Sequence, residues 1–168
     1  MRVMLKFEID CDADAAWRAI HSPQVASELY GPLITMSPFS DVPSTWEYGD
    51  NAAVAVSLAA VPLGKQFISI TDSERMVAGR RVRIMRDSGI PLTGPLASLD
   101  VWDHQMAVSS VAGHPNRTLW RDRLTIGGAS APLLWPTLWA LWQWRQLRIT
   151  QLAPSWAFDL PEAESATA

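Results

Sequence analysis

Between residues 44 and 126 the sequence alternates apolar and polar side chains with a period of two, which is the pattern of half-buried β-strands. Turn-forming Gly, Pro, Asn and Asp residues divide this region, and strands joined by short turns pair as antiparallel hairpins. Six strands are predicted, at residues 44–48, 52–60, 65–74, 80–87, 97–108 and 117–126. A sheet of this kind has an apolar face, which another element must cover.

A long helix follows the strands and can provide this cover. Residues 131–152 have helical character, with Pro132 near the start and Pro154 just beyond the end. Side chains at spacings of three and four form one stripe of this helix: Trp135, Leu138, Trp139, Trp142, Gln146 and Ile149. We expect this stripe to face the sheet.

The N-terminal part of the chain adds one strand and two short helices. Residues 2–9 alternate as a strand, Asp12 can cap a first helix, and Pro23 can begin a second helix that ends at Tyr30. Residues 33–42 are predicted as a connecting loop. The order β-α-α-β6-α predicts an α+β fold, in which a curved antiparallel sheet of about seven strands wraps around the long C-terminal helix. We expect one domain over residues 1–156 and a flexible acidic tail over residues 157–168.

Composition excludes several classes of function. The chain has 168 residues, 48% of them apolar and 18% charged, and its net charge of -3 gives no positive field to attract nucleic acid. A single cysteine, Cys11, and three dispersed histidines predict neither a disulfide nor a metal site, and nothing indicates a cofactor. The longest apolar run, residues 131–142, is shorter than the about twenty residues of a membrane-spanning helix. Charges interrupt the N-terminal apolar run, so no signal peptide is predicted and the expected location is the cytoplasm.

Nine tryptophans are an unusual number for a chain of this length. They require either a large aromatic core or a pocket lined by aromatic rings. Strand parity places Trp102 and Trp120 on the inner face of the sheet, opposite the tryptophans of the helix. Because each indole brings an N–H group that needs a partner, several rings on one face favour a pocket, with core packing as the open alternative.

Two polar side chains fall on this same inner face. The inward side chains of the last two predicted strands are Trp102, His104, Met106 and Val108, and Trp120, Asp122, Leu124 and Ile126. A register that keeps both sets inward places His104 near Asp122, and a carboxylate in apolar surroundings is costly unless it is hydrogen-bonded. Three interpretations stay open: a structural pair that fixes the register, a polar group that holds a ligand, and an acid/base pair.

The order of elements and several short motifs resemble the START-like superfamily, also called the helix-grip or SRPBCC fold. The motifs are Phe7-Glu8-Ile9 with residues 13–20, Met85-Arg86-Asp87, Gly94-Pro95-Leu96-Ala97, Trp102-Asp103-His104, and the run from Thr118 to Leu124. Leu96 stands where this family usually has Phe. The resemblance implies a helix-grip fold with a cavity between sheet and helix that binds a hydrophobic molecule or a lipid. Some members of the superfamily, such as polyketide aromatase/cyclases, are enzymes, and many are not.

We therefore expect a binding or carrier protein for a small hydrophobic or aromatic ligand, and the sequence leaves open whether it also catalyses a reaction. The candidate ligand-binding residues are Trp102, His104, Met106, Trp120, Asp122, Leu124, Trp135, Trp139 and Trp142. The loops at residues 36–43 and 90–96 are predicted to form the rim of the cavity.

Two other functions are compatible with the sequence. The first is an aromatase/cyclase-like or hydratase-like enzyme, in which His104 and Asp122 are the candidate catalytic residues and Tyr30 or Tyr48 relays protons. The second is a protein-interaction module, or a homodimer, that uses exposed tryptophans as contacts. Those tryptophans would be Trp144 and Trp156.

Overall fold

A computed structural model describes residues 1–59 and 61–159. Within these residues, seven strands and four helices occur in this order: β1 Arg2–Ile9, α1 Ala13–His21, α2 Pro23–Tyr30, β2 Ile34–Pro38, β3 Asn51–Leu58, β4 Val61–Val77, β5 Arg80–Asp87, β6 Val101–Val111, β7 His114–Gly127, α3 Ala131–Leu152 and α4 Trp156–Asp159. Short 3-10 turns at Pro95–Ser98 and Ala153–Ser155 precede β6 and α4.

The seven strands form one antiparallel sheet in the order β1-β7-β6-β5-β4-β3-β2. Consecutive hairpins build the sheet from β2 to β7, and the first strand, β1, pairs with β7 at the opposite edge from β2. The long helix α3 lies against the inner face, next to β1 and β7. The predicted α+β fold, a helix-grip arrangement with a long C-terminal helix, is confirmed.

The predicted Asp12 cap of α1 and the predicted start of α2 at Pro23 both form. The side chain of Asp12 accepts hydrogen bonds from the backbone N–H groups of Asp14 and Ala15, at 2.8 and 2.7 Å. Ser22 caps α2 by accepting from the N–H of Val25 at 3.2 Å, and Pro23 occupies the first turn, where its missing N–H has no cost.

The predictions for residues 33–48 were wrong. Ile34–Pro38, predicted as loop, is the edge strand β2, whereas the predicted strand at residues 44–48 does not form. In that segment the backbone N–H of Trp46 donates to the carbonyl of His21 at 2.7 Å, and the N–H of Glu47 donates to the Asp50 carboxylate at 2.8 Å. These local bonds occupy donors that a strand would use in its ladder. A single buried ring, Trp46, produced the apparent alternation.

The start of β6 also differs from the prediction. The predicted strand at residues 97–108 begins at Val101, because Pro95–Ser98 forms a 3-10 turn. Gly94, which precedes this turn, has φ of 82°, and a Cβ atom there would lie 1.7 Å from the carbonyl oxygen of Leu63. On the other side of this contact, a Cβ atom at Gly64 would lie 2.1 Å from the carbonyl oxygen of Thr93. Two glycines therefore allow the backbone of this loop to touch the backbone of β4.

The buried stripe of α3 is shifted from the predicted one. Its buried residues beyond the first turn are Leu138, Trp142, Arg145 and Ile149. Trp139, predicted to face the sheet, is 46% exposed, and Trp135 is half-buried and donates from Nε1 to the carbonyl of Arg2 at 3.1 Å. The helix is apolar on almost every side, so the sequence pattern alone does not select the inward face. On the face that lies inward, Arg145 is buried and pairs with Asp122.

The C-terminal end of the described chain packs against the core. Trp156 is 2% exposed, and its ring centre lies 5.9 Å from that of Trp120. Residues 157–159, predicted as the start of a flexible tail, belong to the short helix α4, Trp156–Asp159. The rest of that predicted tail, residues 160–168, lies outside the described residues. None of the helices in residues 1–59 and 61–159 has the length and hydropathy to cross a membrane.

Candidate functional site

A cavity of about 290 Å³ lies between the inner face of the sheet and helices α2 and α3. Most of its walls are aliphatic or aromatic. The polar side chains among its lining residues are Tyr30, Gln66, Asp87, His104, Thr137 and Arg145. A few polar groups in a mainly apolar wall are typical of sites for small hydrophobic ligands.

One end of the cavity is close to the surface. Three of its lining residues, Leu58, Pro95 and Thr137, are exposed to solvent. They come from the end of β3, the 3-10 turn before β6 and the first half of α3. The other lining residues include Trp120 of β7, which is fully buried on the inner face of the sheet. The entrance therefore lies near the first half of α3, on the side where the backbones of β4 and the Gly94 loop touch.

Four tryptophans contribute to the walls: Trp46, Trp102, Trp120 and Trp142. The rings of Trp102 and Trp142 meet edge to face, with 6.4 Å between their centres. The Nε1 atoms of Trp102 and Trp120 are buried and have no hydrogen-bond partner among the described residues. The sequence allowed either an aromatic core or a pocket lined by aromatic rings. These tryptophans are part of the buried core and also line a space that side chains do not fill.

Asp122 is the centre of a buried hydrogen-bond cluster beside the cavity. Its Oδ1 atom accepts from Nε2 of His104 and from Nε1 of Trp142, both at 2.8 Å. Its Oδ2 atom accepts from Nε of Arg145, also at 2.8 Å. Because an ionised carboxylate only accepts, Nε2 of His104 carries the proton in this pair. The predicted meeting of His104 and Asp122 is confirmed, and two residues of α3 complete the cluster.

The charges around Asp122 keep it ionised. Burial alone would raise the pKa of this carboxyl, because an apolar surrounding disfavours the charged form. The neighbouring His104 and Arg145 outweigh burial through their charge and hydrogen bonds, and they lower the pKa of Asp122 well below its ordinary value. Asp122 is 1% exposed and both of its oxygens are occupied, so it is suited to holding its neighbours in place.

Arg145 lies between this cluster and the cavity. It is 3% exposed, and besides its bond to Asp122 it donates from Nη2 to the sulfur of Met106 at 2.9 Å. Its guanidinium carbon is 5.1 Å from the ring centre of Tyr30, close enough for a cation–π contact. Burial raises the pKa of the Tyr30 hydroxyl, although the charge of Arg145 opposes this shift. Tyr30 therefore keeps its proton.

A second carboxyl, Asp87 at the end of β5, lines the cavity beside His104. Its Oδ1 atom accepts from the backbone N–H groups of Ser69 and Gly89, at 2.9 and 3.0 Å. Burial raises the pKa of Asp87 above its ordinary value, and these two hydrogen bonds only partly compensate. Two carboxyl groups thus lie at or beside the cavity wall with opposite pKa shifts, since the pKa of Asp87 is raised and that of Asp122 is lowered.

The structure places the nine predicted ligand-binding residues differently with respect to the cavity. Five of them line it: Trp102, His104, Met106, Trp120 and Trp142. Asp122 lies behind His104 and Arg145, and Leu124 packs in the apolar cluster between α3 and β1. Trp135 and Trp139 do not line the cavity, because the inward face of α3 is rotated away from them.

Two residues of the cavity wall, Arg145 and Trp46, are not among the ligand-binding residues predicted from the sequence. Arg145 is one of two charged residues in α3, and a charge inside an apolar helix signals a buried ion pair, so a signal was present. Of the two tyrosines considered as proton relays, Tyr30 lines the cavity and Tyr48 is 72% exposed. Both predicted rim segments contribute to the lining, through Met36 and Leu96.

The described residues contain no group of three or more His, Cys, Asp or Glu side chains that could hold a metal ion. Burial, with Asp12 and Asp10 adding to it, raises the pKa of the Cys11 thiol to about 12. The thiolate that a nucleophilic cysteine needs is therefore strongly disfavoured.

Solved structures with a similar fold come from several bacteria. A protein from Arthrobacter aurescens matches with a TM-score of 0.61 and 14% identity, over 99% of this chain and 92% of that chain. A protein from Mesorhizobium loti matches with a TM-score of 0.59 and 11% identity, over 90% of this chain and 96% of that chain. The Aha1 dimer from Colwellia psychrerythraea matches with a TM-score of 0.57 and 8% identity, over 92% and 96% of the two chains.

At these identities the similarity concerns the fold alone, and it agrees with the helix-grip arrangement. No protein-family model matches the sequence, and a search of curated proteins finds no significant match.

Proposed function

We propose that this chain is a START-like protein that binds a small hydrophobic molecule in the cavity between the sheet and α3. The observation that carries the proposal is the unfilled space of about 290 Å³ with a mainly apolar lining. An unfilled apolar space costs stability, because side chains around it lose packing contacts. A ligand that occupies it would restore those contacts.

The size of the cavity limits the ligand. A volume of about 290 Å³ lies at the lower end of the range for small-molecule pockets, which is about 300–1,000 Å³. The aromatic rings of Trp102 and Trp142 favour a flat or aromatic guest, with which they can stack. We therefore expect a compact molecule of one or two rings, or a short acyl chain.

A second candidate function, catalysis by His104 and Asp122, rests on their hydrogen bond at the wall of the cavity. Against it, Asp122 does not line the cavity and both of its oxygens are occupied. Its lowered pKa also makes Asp122 a poor proton donor. The arrangement is better suited to holding His104 and Arg145 in position than to transferring protons.

The alternative function as a protein-interaction module depended on two exposed tryptophans, Trp144 and Trp156, and neither is fully exposed. Trp156 is buried against Trp120, and Trp144 is half-buried. Buried side chains of this kind stabilise the chain that carries them and are unavailable to a partner.

Binding can be tested with a pair of variants that differ only in where a bulky side chain is added. Ala26 of α2 lines the cavity, whereas Ala140 of α3 is exposed on the outer side. We expect Ala26→Trp to fill the cavity and to abolish binding, and Ala140→Trp to bind as the wild type does. Native mass spectrometry of the purified protein would show any co-purified ligand, and equilibrium dialysis with small aromatic compounds would measure affinity. Equal binding by the two variants, or no binding of any hydrophobic compound by the wild type, would refute the proposal.

A further inference from the structure

The polar groups of the cavity wall limit the chemistry of the ligand. We infer that the natural ligand is an uncharged, mainly apolar molecule with a carbonyl oxygen, as in a ketone, ester or amide, which accepts a hydrogen bond from the Tyr30 hydroxyl beside Arg145. This inference rests on the proposed binding function, because it concerns the same cavity.

Tyr30 supplies a donor that the protein does not use. Its hydroxyl proton has no acceptor among the described residues, and its neighbour Arg145 can only donate. Arg145 itself has five N–H groups, which find acceptors at Asp122, at Met106 and at the oxygen of the Tyr30 hydroxyl and leave others without one in the described residues. Both side chains line the cavity. Donors therefore converge at this position, and a ligand that buries them without offering an acceptor would leave them unpaired.

The charges around the cavity favour an uncharged acceptor over a carboxylate. The positive charge of Arg145 is balanced at 2.8 Å by Asp122, which is fully buried beside it. A second carboxyl, Asp87, lines the cavity near His104. An anionic ligand would bring a third negative group next to Asp122 and Asp87, which already match His104 and Arg145 in number. A carbonyl oxygen can accept from Tyr30 and Arg145 at no such cost.

The inference can be tested with three ligands of almost the same shape. 2-Acetylnaphthalene carries a carbonyl, 2-ethylnaphthalene has a methylene group in its place, and 2-naphthoate carries a negative charge. Equilibrium dialysis measures the three dissociation constants against the wild-type protein. We expect the ketone to bind about fivefold more tightly than the hydrocarbon, since one hydrogen bond replaces an unpaired buried donor. We expect the naphthoate to bind most weakly.

The two tyrosines of the chain give a matched pair of variants. Tyr30→Phe removes only the hydroxyl in the cavity, and Tyr48→Phe removes a hydroxyl from a side chain that is 72% exposed and outside the cavity. Neither change removes a charge, so both variants should fold. Tyr30→Phe should weaken the binding of the ketone by a factor of about two to ten and leave the hydrocarbon unchanged. Tyr48→Phe should leave all three dissociation constants as they are.

The possible outcomes separate this inference from the proposed function. If none of the three compounds binds, the proposed function fails, and the inference fails with it. If the hydrocarbon binds as tightly as the ketone, or if Tyr30→Phe affects both ligands equally or neither, the cavity binds apolar molecules but the assignment of a carbonyl is wrong. Tighter binding of the naphthoate than of the ketone would likewise overturn the assignment of an uncharged ligand.

Discussion

At the scale of single residues, Asp122 should contribute more to stability than any exposed carboxylate. Asp122→Asn removes the only anion that Arg145 contacts among the described residues, so a buried guanidinium loses its counter-charge. We expect a loss of about 3–5 kcal/mol in the free energy of unfolding, measured by urea denaturation. Asp103→Asn is the control, since Asp103 pairs with Arg86 on the outer face and such pairs contribute about 0–1 kcal/mol. Similar losses in the two variants would contradict the central position of Asp122.

The same residue predicts a pH dependence. The folded-state pKa of Asp122 is below its ordinary value of 3.8, so the unfolded chain binds this proton more tightly than the folded chain does. Its stabilising contribution is therefore complete above the ordinary value and is lost as the pH falls through the folded-state value. The difference in unfolding free energy between the wild type and Asp122→Asn should be constant from about pH 5 to 7 and should shrink below about pH 4. Urea titrations at a series of pH values would measure this difference.

Asp87 should show the opposite sign. Burial raises its pKa in the folded state, so the folded chain holds this proton more tightly, and stability is lost as the pH rises from about 4. Asp87→Asn removes this loss, while the amide oxygen can still accept from the N–H groups of Ser69 and Gly89. We therefore expect the stability of Asp87→Asn relative to the wild type to increase between pH 4 and pH 7. If the difference in unfolding free energy between Asp87→Asn and the wild type does not change over this range, burial does not raise the pKa of Asp87.

The residues of the site differ in how well the sequence predicts them. His104 and Asp122 follow from strand parity, because alternation on two neighbouring strands needs only a register to bring them together. Trp142 lies on the stripe that helical spacing predicts, whereas Arg145 does not. The polar residues in the second half of α3 are spread around the helix, so periodicity does not indicate that Arg145 faces inward. Tyr30 enters the site through the packing of α2 against α3, which local sequence does not encode.

At the scale of elements, the contact between β4 and the Gly94 loop can be tested with two glycines. Gly94 and Gly79 both have positive φ, of 82° and 73°, but only Gly94 has backbone atoms where a Cβ would lie. Both alanine variants would suffer strain of about 1–2 kcal/mol from φ alone. We expect Gly94→Ala to be less stable than Gly79→Ala by at least about 1 kcal/mol in urea denaturation, because the loop must move away from β4. Gly94→Ala should also weaken ligand binding, since Leu63 and Pro95 line the cavity there. Equal stability of the two variants would mean that the loop moves without cost.

Long, regular elements were predicted well and the short edge was not. Residues 2–9, 80–87 and 131–152 were predicted as β1, β5 and α3, and the structure has them with those bounds. The edge strand β2 covers only Ile34–Pro38 and is mostly half-buried or exposed, so its periodic signal is short and weak. The segment around Trp46 shows the converse error, in which one large apolar side chain imitates a strand while turn hydrogen bonds determine the backbone.

At the scale of the whole molecule, a ligand in the cavity should stabilise the folded state by mass action. At a ligand concentration one hundred times the dissociation constant, the expected gain is about 2.7 kcal/mol. For a domain of this size that gain raises the midpoint of thermal unfolding by about 5–10 °C. Thermal unfolding followed by circular dichroism would measure the shift, and Ala26→Trp, with its filled cavity, should show none. A ligand that binds without raising the midpoint would have to bind the unfolded chain equally well.

The overall fold was predictable because one constraint dominates it. A sheet of consecutive hairpins with an apolar face has a single long helix available to cover it, and that leaves few arrangements. The existence of a cavity was less predictable, because it depends on how completely Trp102, Trp120 and Trp142 fill the space between sheet and helix. Packing at that level is decided by side-chain rotamers, which alternation patterns do not contain.

The hydrogen bonds of Asp122 have a consequence for how this chain can change in evolution. Replacing His104, Trp142 or Arg145 one at a time removes a hydrogen-bond donor from a buried carboxylate. Replacing Asp122 first leaves the buried Arg145 without its counter-charge. Each single step is costly, whereas a joint replacement by apolar residues of similar volume need not be. An alignment of orthologous chains should therefore show these four positions varying together, with Asp122 and Arg145 gained or lost as a pair.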